Sequence, residues 1–171
     1  MFQCIKADAR RLLDQEHDSV RKLATLLFNL GFHAVVLYRF SNWLYRHGMG
    51  PLGGVVGYMN TVFTGAQISG RATIGKGLVI YHAPGIVIGE AKIGDYCTLI
   101  HANLIGQHRG GGDRPTIGNH FYAGTGAKIM GRIQIGNYVR VGANAVVLQS
   151  LPDNVTAVGV PARIIAHPGQ S

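Results

Sequence analysis

From Ile117 an aliphatic or small residue returns at every sixth position, through Ala123, Ile129, Ile135, Val141 and Val147, without a slip. Upstream the same beat runs through Ile68, Ile74 and Ile80 and, after one extra residue over two repeats, resumes at Ile93, Leu99 and Ile105. Neither an α-helix nor an ordinary hairpin sheet produces a period of six. It is the mark of a parallel β-helix, in which each hexapeptide supplies one short strand and one turn. Such a strand cannot bury its apolar side alone, so the coils stack and the beat residues form one continuous interior column. Branched aliphatics fill the inside of a narrow triangular prism, whereas its corners need residues that tolerate tight turns, hence glycine, asparagine and aspartate. Glycine does follow the beat, at Gly75, Gly94, Gly106, Gly118, Gly136 and Gly142 among others. A glycine-rich sandwich of irregular strands would not hold phase over so many repeats.

The chain of 171 residues then divides into a helical segment, 1–64, and the repeat domain, 65–171, with an extruded loop at 106–115. That is one domain with a modest attachment, long enough to bury a real core. Two cysteines, Cys4 and Cys97, make no disulfide framework, and with no signal peptide at the start a reducing cytoplasm is the expected compartment. A formal charge of +8 points either to a polyanionic partner or to a merely basic surface. The chain lacks zinc-finger spacing, an aromatic RNA-binding pattern and an arginine-rich run, so nucleic acid is not expected, and a phosphate-bearing cofactor accounts for the excess equally well. Of the eight carboxylates, Asp8, Asp14, Glu16 and Asp18 precede the repeats, which leaves the repeat region poor in acidic partners for catalysis.

In the helical segment Asp18-Ser19 supplies cap chemistry, and Leu23, Leu26, Leu27 and Leu30 form one apolar stripe that Gly31 is expected to end. A second helix is expected to bury Val36, Phe40, Trp43 and Leu44, stopping near Gly48 to Pro51, with a glycine-rich third piece over 52–63. The apolar run from Leu23 to Phe40 is interrupted by Asn29, His33 and Arg39, which favours packed helices over a membrane span.

Within the repeats, Ile80-Tyr81-His82-Ala83-Pro84-Gly85 interrupts the beat with a histidine at a turn, the side chain best suited to general-base work near neutral pH. His101 lies one coil further on, two residues past Leu99. Between Ile105 and Ile117 the phase breaks for two repeats, and the loop carrying His108, Arg109 and Arg114 must leave the prism, as binding loops of solenoids do. The histidines show no short ligand spacing of the zinc kind, so no metal is expected.

The segments GFHAVVLYRFSNWLYRHG, YHAPGIVIGE, GGGDRP, AGTGAKIMG and AVGVPARII, spread from about Gly31 to Ala166, resemble the serine acetyltransferase family. That resemblance implies a mainly β chain built as a left-handed parallel β-helix with a short N-terminal helical segment. It also implies transfer of an acetyl group from acetyl-CoA to the hydroxyl of L-serine, in cysteine biosynthesis. It makes His82 the general base and Arg114 the partner of the serine carboxylate, with Glu16 helping to hold the serine amino group. Gly106, Thr125 and Ala143 match positions along the CoA groove, where Arg140 and Arg163 favour the nucleotide phosphates. Because the acyl-donor groove of this fold lies between neighbouring subunits, a homotrimer or larger assembly is expected.

The departures from the family pattern are specific. Tyr81 stands where an acidic residue precedes the catalytic histidine, Arg114 runs into Pro115 where the family has a second histidine, and Gln67 aligns with the acidic residue that orients the imidazole. His101 and His108 are the candidates to replace the missing histidine. The chain ends at Ser171 without the terminal isoleucine of members that join cysteine synthase, so that complex is not expected. Loss of amino-acid pocket groups keeps two alternatives open: acetylation of a sugar or polysaccharide hydroxyl, and a non-catalytic β-helix acting in assembly.

Overall fold

The computed structural model describes residues 1–14, 18–107 and 112–165. The beat becomes three parallel sheets that form the faces of a prism. Face A stacks β1 (Gln67–Ile68), β4 (Val87–Ile88), β7 (Leu104–Gly106), β10 (Lys128–Met130) and β13 (Val146–Val147). Face B stacks β2 (Thr73–Ile74), β5 (Lys92–Ile93), β8 (Thr116–Ile117) and β11 (Gln134–Ile135). Face C stacks β3 (Val79–Ile80), β6 (Thr98–Leu99), β9 (Tyr122–Ala123), β12 (Arg140–Val141) and β14 (Thr156–Val158), and closes with β15 (Arg163–Ile165), which returns antiparallel to β14. Every beat residue named from the sequence is buried, and aligned inward residues such as Ile74, Ile93 and Ile117 stand directly over one another.

The register also resolves the slip after Ile80. Ile88, paired with Ile68 below and Ile105 above, is the inward residue of β4. The extra chain therefore sits in the corner between β3 and β4, which is the corner that carries His82.

At the corner between faces B and C, Asp95, Asn119, Asn137 and Asp153 form a ladder. In each step a side-chain oxygen accepts the backbone N–H one coil below: Lys76 to Asp95 at 2.9 Å, Asp95 to Asn119 at 2.8 Å, Asn119 to Asn137 at 2.9 Å and Asn137 to Asp153 at 2.7 Å. This ladder is why glycine follows the beat here. A Cβ on Gly94 would lie 2.6 Å from the Asn119 Oδ1 and one on Gly136 would lie 2.2 Å from the Asp153 Oδ1, so the capping oxygen occupies the space that a side chain would need.

Ahead of the coil lie α1 (Phe2–Leu13), α2 (Ser19–Phe28), α3 (Leu30–Arg46) and α4 (Gly50–Thr64). Asp18 caps α2 through Val20 N–H, as its sequence predicts. Asn29, not Gly31, ends α2, and its Oδ1 accepts from Phe32 N–H at 2.8 Å to start α3. Gly31 lies in the first turn of α3 because a Cβ there would be 1.8 Å from the Ile80 carbonyl oxygen; the glycine admits the coil backbone and does not stop the helix. The buried face of α3 also differs from the expected one. It is made of Gly31, Ala34, Val35, Tyr38, Arg39, Ser41 and Leu44, while Phe40 is 41% exposed and stacks on Trp43. No residue of α2 is buried, and Val20, Leu23, Leu27 and Phe28 leave its apolar stripe open in the single chain. Among the described residues no single helix is long and apolar enough to cross a membrane; α2 and α3 qualify only as a pair bent by 59°.

Polar residues on α3 are needed because the first coil has no coil beneath it, and its backbone groups need other partners. Tyr38 donates to Ala72 O at 2.9 Å and accepts from Ile74 N–H at 3.2 Å. Arg39 donates to Ile74 O and Gly75 O, each at 2.5 Å, and Asn42 donates to Gly70 O and Ala72 O. From α1, Asp8 accepts Leu78 N–H at 2.9 Å, and Arg11 donates to Gly77 O at 2.5 Å and Cys97 O at 2.7 Å. Arg39 and Asp8 are themselves an ion pair at 3.0 Å with both side chains buried. Burial pushes the Asp8 carboxyl above its ordinary range, against the opposing pull of Arg39, and pushes the Tyr38 hydroxyl up to about 12 and the Cys97 thiol up to about 11.

Two outcomes are expected. Arg39→Met leaves a buried acid and two coil carbonyls without their partner, and chemical denaturation should report a loss of about 3–5 kcal/mol. Thiol titration of the native protein should count half-buried Cys4 and miss Cys97, which reacts only after unfolding.

Candidate active site

The corner between faces C and A collects residues that are far apart in the chain. His82 N–H bonds to Ile100 O at 2.9 Å, Gly126 N–H to His101 O at 2.7 Å and Asn144 N–H to Thr125 O at 2.8 Å. His82, His101, Thr125 and Ala143 therefore follow one another up a single edge of the prism, one per coil. Ala83, fully buried, and the Pro84-Gly85 pair, whose Gly85 N–H bonds to Gly65 O at 3.0 Å, fix the enlarged turn and leave the His82 ring exposed.

Beside this edge is a cleft of about 680 Å³ lined by Tyr81, His82, Ala83, Pro84, His101 and Thr125, with Phe28, Asn29 and Leu30 as its other wall. The wall exists because α3 begins there: close approach at Gly31 brings the N-terminal, partially positive end of the helix against the His82 turn. The rings of His82 and His101 meet edge to face, with centroids 6.5 Å apart. Nδ1 of His101 is enclosed and lacks a hydrogen-bond partner among the described residues. Asn103, which the sequence reading missed, is fully buried at the same corner and donates from Nδ2 to Gly124 O at 2.6 Å, tying two coils together. Its only sequence signal was a polar residue two positions before a beat residue, where Ala127 and Ala145 stand in later coils.

The other candidate residues lie elsewhere on this chain. Gly106 ends β7 at the edge between faces A and B, and Arg114 precedes β8 at that same edge. Arg114 is about half exposed and ion-paired with Glu90, whose second oxygen takes Arg71 at 3.4 Å. Gln67 is exposed at the start of β1, in a different cleft with Tyr45, Gly57, Ser69 and Val87. Arg140 is exposed on face C with its guanidinium 5.0 Å over the Tyr122 ring, and Arg163 is exposed on β15. Glu16, His108 and Arg109 lie outside the described residues.

An exposed imidazole beside a cleft that runs along stacked coils is placed for general-base chemistry on a bound ligand. The family model of the bacterial transferase hexapeptide (six repeats) matches residues 114–149. The serine acetyltransferase of Synechococcus elongatus is 37% identical over 172 residues, spanning 99% of this chain and 70% of that protein. The chain belongs to the serine acetyltransferase family.

Solved members agree over nearly the whole length. Soybean serine acetyltransferase complexed with serine superposes with a TM-score of 0.89 at 35% identity, covering 95% of this chain and 68% of the other. Serine acetyltransferase from Brucella abortus in complex with coenzyme A superposes with a TM-score of 0.88 at 32% identity, covering 96% and 67%. The prism is thus the left-handed parallel β-helix of the serine acetyltransferases, and its helical cap is part of the shared fold, since the superposed length exceeds the coil alone.

Gly31→Ala should push α3 away from the His82 turn. The expected result is a stability loss of about 1–3 kcal/mol, measured by thermal unfolding, together with weakened activity from a displaced cleft wall.

Proposed function

We propose that the chain is an acetyl-CoA:L-serine O-acetyltransferase, with His82 as general base and each active site shared by two subunits of a homotrimer. The observation that carries this reading is the vertical edge on which His82, His101, Thr125 and Ala143 stand beside a cleft open to solvent. Serine bound in the soybean relative and coenzyme A bound in the Brucella relative support the two substrates.

The chemistry needs one base and one extended acyl carrier. His82 takes the proton of the serine hydroxyl as its oxygen attacks the thioester carbonyl; the C–O bond forms, the C–S bond breaks, and the imidazolium returns the proton to the departing thiolate. Thr125 and Ala143, with backbone groups at the coil corners, line the path of the pantetheine arm. Arg140 and Arg163 contribute positive charge toward the nucleotide phosphates. Tyr81 lies at the mouth of the cleft and contacts the acceptor.

The need for two subunits follows from where the rest of the site lies. Arg114 and Gly106 belong to the edge between faces A and B, whereas His82 belongs to the edge between C and A. In a cyclic trimer of prisms, one edge of a subunit faces a different edge of its neighbour, which brings a carboxylate-binding arginine to an imidazole that its own chain cannot reach. Glu90 holds Arg114 until the serine carboxylate competes for it, and Gln67 orients the imidazole from across the same boundary.

His82→Ala should lower acetyl transfer to L-serine by about 10²–10⁴-fold in a thiol-release assay, with the fold intact by circular dichroism. Parent turnover of L-serine no faster than the rate without acceptor would remove serine as the substrate. Mixing inactive His82→Ala and Arg114→Ala subunits through a dissociation and reassembly cycle should restore activity toward about a quarter of the parent value, as random pairing of shared sites requires. Sites confined to one chain would restore none.

A further inference from the structure

We propose that His101 is the hydrogen-bond donor that meets the thioester carbonyl oxygen as it becomes an oxyanion, through a proton carried on Nε2. This inference rests on the acetyl-transfer reading above and adds a second histidine role to it.

His101 stands one coil along the same edge as His82, lines the same cleft, and presents its ring edge to face at 6.5 Å between centroids. Its Nδ1 is fully enclosed and has no partner among the described residues. The one polar side chain two residues on, Asn103, is committed through Nδ2 to Gly124 O, and its Oδ1 is likewise enclosed without a partner. Of the two neutral tautomers, the one with its proton on Nδ1 would strand a donor in that enclosure. The other strands only a lone pair, the more easily tolerated of the two. The proton therefore resides on Nε2, the remaining nitrogen of a ring that borders the cleft.

An N–H fixed by the coil at that position suits one task. As the serine oxygen adds, the carbonyl oxygen gains negative charge, and a preorganised donor in a partly desolvated cleft stabilises that charge more than the ground-state carbonyl. His82 carries the proton from the hydroxyl to the thiolate, while His101 keeps its own proton throughout. The two histidines thus divide the work by position: His82 relays the proton, and His101 donates a hydrogen bond to the carbonyl oxygen.

The test compares His101→Leu with His101→Gln in the full chain, assayed with acetyl-CoA and L-serine. Leucine should lower kcat by about 10²-fold or more with KM for acetyl-CoA within about threefold of the parent, and glutamine, which retains a side-chain N–H, should recover at least about tenfold of that loss. A leucine variant within about threefold of the parent kcat, or a glutamine variant as slow as leucine, overturns the proposal. If leucine fails to fold by thermal melting, ¹⁵N spectra of the parent decide: a proton on Nε2 is expected, and the Nδ1–H tautomer overturns it. Should the parent ignore serine, the same pair is compared in acetyl-CoA hydrolysis, because the oxyanion forms whichever nucleophile attacks. That result counts against the acceptor and not against His101, whereas a parent silent toward acetyl-CoA under every condition sinks both.

Discussion

A stack of parallel coils has no natural end. Its interior strands satisfy one another, but the first coil presents amide and carbonyl groups with nothing beneath them, and leaving such groups buried and unpaired costs about 1–3 kcal/mol each. The molecule meets this constraint with side chains from two helices, since Tyr38, Arg39 and Asn42 on α3 and Asp8 and Arg11 on α1 bond to the open edge. The buried Arg39–Asp8 pair is then a consequence of capping. Arg39 donates to two coil carbonyls, Asp8 accepts from a coil amide, and each offsets the charge that the other brings into the interior.

The same constraint builds the cleft. A helix that must lie flat on the first coil has its start dictated by where it can touch, and Gly31 allows that start to abut Ile80, immediately before the His82 turn. Stability and chemistry therefore share an element: α3 closes the prism along its buried face and forms a wall of the cleft at its N-terminus. The stretched corner between β3 and β4 does the complementary job of carrying His82 out from the coil while its backbone stays hydrogen-bonded to the next turn. Above it, His101, Thr125 and Ala143 inherit their alignment from the repeat itself.

Much of this was legible in the residues. The period of six specified the prism, its interior column and the corner chemistry, because inward packing admits few residue types and tight turns admit fewer. His82 stood out as a histidine at an interrupted beat, and the structure gives that interruption a cause in the lengthened turn. What could not be read was the orientation of the cap. An apolar stripe of Val36, Phe40 and Trp43 looked like the buried face of a helix, yet the coil edge selected Tyr38 and Arg39, since an unpaired backbone needs hydrogen-bonding partners more than it needs further carbon. Gly31 misled for a related reason, as close approach and helix termination ask for the same residue. Glu90 as the partner of Arg114 joins residues on different coils, and no local pattern announces such a pair.

The sequence alone determined that the chain winds into stacked coils, because a strict six-residue recurrence of aliphatics admits one economical way to bury them. It also marked His82, at the interrupted beat, as the candidate for chemistry. Only the tertiary structure decided which of those residues meet, since the edge of the prism to which a side chain belongs depends on the accumulated length of every corner before it. By that count His82, His101, Thr125 and Ala143 fall on one edge and Arg114 and Gly106 on another. The separation is a matter of winding and register, which no local pattern in the sequence records.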